Sequence, residues 1–169
     1  MATNLAYPAL NEHSMSKPVS AELIDFTTTS MCSFFHMSQP QRQKSHQLPD
    51  LPAFITKIIH DLNLPVLNVV VCLIYVHRLK SQLPKNYETE YGTAHRVFIS
   101  SILVASKYVD DVPITARKML DSVGKDIWSI KDIIRMERAF LSFIQWDLSI
   151  DRSAFDSYLN ELRENQIVL

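Results

Sequence analysis

The chain has 169 residues, a formal charge of −1 and a pI near 6.6, so it carries neither a basic stripe for nucleic acid nor an acidic tail. Only 2 of its residues are glycine, at Gly92 and Gly124, which disfavours β-rich folds with tight turns and excludes a glycine-rich phosphate loop. Its longest uninterrupted apolar run, 69–76, falls far short of the ~18 residues a membrane span requires.

Residues 1–18 are polar and mixed, with Pro8 and Pro18, and are expected to be loosely ordered. Nothing there resembles a signal peptide. Apolar residues then recur at helical spacing through Leu23, Ile24, Phe26, Met31, Phe34 and Phe35, which predicts an N-terminal helix over 19–37 with Ser20 as its cap. The stretch 38–50 is polar and Gln-rich and reads as a linker. A compact unit follows over 51–150. Its first helix, 51–62, has Asp50 as a candidate cap, Pro52 in the first turn, and Phe54, Ile55, Ile58 and Ile59 inward. A second begins at Pro65 and runs to about 81, with Arg78 and Lys80 at the negative end of its dipole. After a polar loop, Thr93 is read as the cap of a third helix reaching 111. A short fourth spans 114–123, and Ser129 and Asp132 form a capping-box signature for a fifth, to about 146. Ser153 opens a last helix within a C-terminal segment, 151–169. The expected fold is therefore all-α: five helices in one bundle, flanked by an N-terminal helix and a short C-terminal helix.

Two residues sit oddly in this pattern. The third helix is apolar nearly all round, as an element with neighbours on several sides must be, yet it carries Lys107 in its last turns. On the fifth helix, Glu137 falls inside the apolar arc of Ile133, Ile134, Phe140, Leu141 and Ile144. If these helices pack together the two could pair. The alternatives are local: Lys107 with Asp110 or Asp111, and Glu137 with Lys131 or Arg138, each worth about 0.3 kcal/mol.

No other constellation points to chemistry. His60, His77 and His95 lack an i, i+4 partner for a metal, and neither a nucleophile elbow nor a Cys/His ligand spacing is present. Cys32 and Cys72 lie among apolar residues and read as buried, reduced thiols of an intracellular protein. Met31, Met37, Met119 and Met136 read as core filling. The expectation is no catalytic residue, no metal and no cofactor.

The stretches HRVFISSILVASKYVDD (95–111) and MERAFLSFIQWDL (136–148) together resemble the third and fifth helices of a cyclin box, and VLNVVVCLIYVHRLK (66–80) resembles the second. KPVSAELIDF and LPAFITKIIHDLNLP more narrowly resemble fungal cyclins of the phosphate-signalling type and their P/U-type relatives. The resemblance covers about 17–150. It implies a regulatory subunit that binds and activates a cyclin-dependent protein kinase as a heterodimer, in the nucleus or cytoplasm, without nucleic acid or membrane. It further implies that Lys107 and Glu137 form a kinase-facing pair, with Leu103 and Phe140 as apolar contacts beside it. The FITKIIHD helix departs from the substrate-docking helix of cell-cycle cyclins, so docking of Arg-x-Leu substrates is not expected. A second box is not expected in the residues after 150. The rival reading is a cyclin-fold adaptor that binds a partner other than a kinase.

Overall fold

The computed structural model describes residues 16–35, 48–84, 87, 89–167 and 169. Among them the backbone forms seven helices, and an antiparallel bridge joins Pro18 to Pro65. The helices are α1 (Ala21–Phe34), α2 (Leu51–Asp61), α3 (Val66–Gln82), α4 (Thr93–Val109), α5 (Ala116–Val123), α6 (Ile130–Phe143) and α7 (Arg152–Glu164). The readings for 1–15, for most of the 38–50 linker and for Met37 lie outside the described residues.

α4 is the axis of the bundle and packs against α1, α2, α3, α5 and α6. Phe98, Ile99, Ile102, Leu103 and Ala105 are fully enclosed. Its serines let neighbours approach closely without leaving hydroxyls unpaired. Ser100 donates to Arg96 O (2.7 Å) and Ser101 to Phe98 O (3.0 Å), within their own helix. Ser101 also meets the buried thiol of Cys72 on α3, at 3.0 Å, and burial pushes that thiol up to about 12. Cys32 departs from expectation. It faces outward on α1, so only Cys72 is a buried thiol.

The helix starts follow local chemistry. Ser20 caps α1 by accepting from Leu23 N, and Thr115 caps α5 by accepting from Lys118 N. Ser129 and Asp132 complete the reciprocal capping box of α6. Four details differ from the sequence reading. Asp50 precedes α2 without a side-chain cap bond. Gly92, not Thr93, caps α4. Its φ is +81°, a left-handed backbone conformation that glycine adopts without steric cost. Asp151 caps α7 ahead of Ser153. Finally, α6 ends at Phe143 rather than near Trp146, because Gln145 and Trp146 both turn to positive φ, at +56° and +58°.

Candidate partner-binding site

Lys107 and Glu137 meet. The ammonium of Lys107, in the last turn of α4, donates to Glu137 Oε1 in the middle of α6. The two ends of the pair differ in exposure: the lysine side chain is 49 % exposed and the glutamate 10 %. Glu137 is thus a nearly buried carboxylate covered by a cation that looks outward. The local alternatives do not form. Asp110 turns inward, accepting from Asn68 Nδ2 (2.8 Å) and from Ser106 Oγ (2.7 Å).

Packing sets this geometry. A fully buried Ile, Leu or Phe stabilises by about 1.5–3 kcal/mol, whereas a partly exposed ion pair contributes about 0–1 kcal/mol. The apolar α4–α6 contact therefore places the two charges. The Asp110 cluster fixes the end of α4 that carries Lys107: Asp110 ties it to the first turn of α3, and Ser106 Oγ accepts from Ile114 N (2.8 Å) ahead of α5.

Beside the pair, the segment after α6 is latched to the bundle by three side chains. Tyr75 donates to Leu148 O (3.0 Å), Arg78 Nη2 donates to Ser149 O (2.9 Å), and Tyr108, next to Lys107, accepts from Ile150 N (3.4 Å). The latch holds Trp146 on the outside, with 63 % of it exposed. Its backbone N–H donates to Leu141 O, one helical turn beyond Glu137. An indole held in the left-handed region and left exposed is unusual, since that conformation is disfavoured for bulky residues. The sequence alone assigns Trp146 no role. What could have marked it is its place just past the helix end, outside the apolar arc.

The two apolar contacts expected beside the pair need correction. Leu103 is 0 % exposed and lies in the core of the bundle, so it packs beneath Lys107 and presents no surface to a partner. Phe140 is 3 % exposed and lines a groove on another flank of α6. The exposed apolar side chains in this half of the molecule are Trp146, Phe143, Ile134 and Val112.

Two polar clusters away from the pair hold segments of the fold together. His95 hydrogen-bonds Pro49 O through Nε2 (2.8 Å) between Phe54 and Arg96, and burial lowers its pKa. The Asp61 carboxyl is held below its usual range by Lys57, with Ser122 also donating to it. No group of three or more His, Cys, Asp or Glu residues that could hold a metal ion occurs among the described residues.

Helices gathered round a central, nearly all-apolar α4, with α6 lying along it, constitute an all-α cyclin box. The chain belongs to the cyclin family: residues 20–149 match the family described as "Cyclin, N-terminal domain". It is similar to three proteins of Saccharomyces cerevisiae. It is 28 % identical to PHO85 cyclin-9 over 135 residues, which are 79 % of this chain and 44 % of that protein. It is 25 % identical to PHO85 cyclin-1 over 144 residues, 81 % and 51 % respectively, and 22 % identical to PHO85 cyclin-2 over 157 residues, 89 % and 51 %. The chain therefore spans about half the length of these relatives.

Proposed function

We propose that the chain is a non-catalytic regulatory subunit that binds and activates a cyclin-dependent protein kinase. The observation that carries this reading is the Lys107–Glu137 pair, a half-exposed ammonium over a nearly buried carboxylate at the α4–α6 junction. The relatives named as PHO85 cyclins support it and favour a kinase of the phosphate-signalling or cell-cycle type. The partner meets Lys107 and Trp146. The indole supplies most of the affinity by losing water on contact, and the charge fixes orientation. Docked there, the chain holds the regulatory C-helix of the kinase inward. That shifts the kinase toward the state in which its own lysine–glutamate pair is in place for phosphoryl transfer. The chemistry belongs to the kinase, and the chain acts wherever that kinase acts, in nucleus or cytoplasm.

Affinity purification from the source cells, with the wild-type chain and with Lys107→Ala, tests the proposal. The wild type recovers a cyclin-dependent kinase and raises its activity on a peptide substrate, and Lys107→Ala recovers much less. Recovery of one stable partner without kinase activity would instead support the adaptor reading.

A further inference from the structure

α6 has a second flank. Its residues Arg135, Met136, Ala139, Phe140 and Phe143 form one wall of a groove of about 480 Å³. Thr93, Arg96, Val97 and Ser100 of α4 line it from the other side, and Phe35 after α1, Leu79 in α3, and Leu83, Tyr87 and Glu90 beyond α3 complete it. At about 100° per residue, Ala139 and Phe143 point roughly 120–160° away from Glu137, and neither Glu137 nor Lys107 lines the groove. The floor is apolar, and Phe143 (54 % exposed) and Tyr87 (48 %) stand at its lips.

Charge says what fits. Arg96 and Arg135 face the groove from opposite walls, with side chains 41 % and 79 % exposed. The carboxylate among the described lining residues is Glu90, 88 % exposed and 3.5 Å from Arg96; Asp132 stands 3.8 Å from Arg135. A guanidinium has five N–H groups. Arg96 uses one on Thr93 Oγ1 at 3.3 Å, so both arginines keep donors for an incoming acceptor. An apolar trough between two guanidiniums matches a peptide with large apolar side chains and flanking carboxylates. Met136 in the wall can adjust to differing apolar anchors.

We infer that the α4–α6 groove is a docking site for a short acidic, apolar segment of a partner protein. It is separate from the Lys107–Glu137 surface. That a kinase docked at the pair leaves this groove open rests on the proposed function; the peptide site itself does not.

A random dodecamer display library panned on the full chain tests this, with Ala139→Arg as the counter-selection target. Ala139 is exposed on a helix and arginine is a good helix former, so that variant keeps the fold. The recovered peptides are expected to combine Leu, Ile or Phe with Asp or Glu. A synthetic copy of the best of them loses binding to Ala139→Arg. It binds the Arg96→Ala, Arg135→Ala double variant roughly tenfold more weakly, as loss of a charge-assisted hydrogen bond predicts. It binds Lys107→Ala unchanged, whether or not any kinase is found. Recovery of no peptide sensitive to Ala139→Arg, or of basic peptides, overturns the inference. So does a concentration-dependent dimer abolished by Ala139→Arg, which would assign the groove to a second copy of the chain.

Discussion

Glu137 lies on the packed face of α6, where a buried polar group needs a partner, and Lys107 supplies it. Removing the cation alone leaves the carboxylate without its partner. Lys107→Ala is expected to lower stability by about 1–2 kcal/mol, a value below that of a fully buried pair because the lysine is half exposed. Adding Glu137→Gln recovers part of the loss, since a neutral amide is less costly to leave unpaired. Urea denaturation of the two variants measures both effects. His95 carries a pH dependence. Its folded pKa lies below the ordinary value of 6.5, chiefly through burial, with Arg96 acting in the same direction and Pro49 O and Asp50 opposing. The unfolded chain therefore binds more protons than the folded one between 6.5 and the lower folded value, and stability falls as pH drops through that window. His77, also lowered chiefly by burial, adds a change of the same sign. Thermal unfolding from pH 7.5 down to 5.5 should show a falling midpoint. His95→Gln, which keeps a donor for Pro49 O, should flatten the fall.

At the level of elements, the capping box of α6 sets where the Glu137 helix begins, so it bears on the site. Ser129→Ala removes the side-chain bond to Asp132 N and is expected to cost about 1 kcal/mol, read by chemical denaturation. Much of this level was legible in the sequence. The 3.6-residue apolar spacing located α2 to α6, and the Lys107 and Glu137 misfits pointed to each other across 30 residues because each interrupts an otherwise apolar face. What was hidden has physical reasons. The end of α6 was overrun because Ile144, Leu148 and Ile150 keep packing inward after the helix has stopped, so apolar periodicity outlives the hydrogen-bond ladder. Trp146 went unassigned because its exposure follows from two left-handed residues that no propensity announces. Leu103 was misplaced because a helix apolar on all sides does not reveal from its own sequence which sides its neighbours cover.

For the whole molecule, the central placement of α4 has one consequence for function. A helix enclosed by five others is rigid, so the charge at its last turn is presented in a fixed position against α6. α6 then divides two surfaces, the Lys107–Glu137 pair on one flank and the arginine-walled groove on another. No helix among the described residues is long and apolar enough to cross a membrane. The half-exposed lysine is either a contact for the partner or only a cover for Glu137. The equilibrium dissociation constant for the co-purifying cyclin-dependent kinase decides this, measured for the wild type and Lys107→Ala, with thermal unfolding on the same samples. Lys107→Ala is expected to weaken the affinity about tenfold or more while the unfolding midpoint moves by only about 2–8 °C. Equal affinities for the two proteins would contradict it.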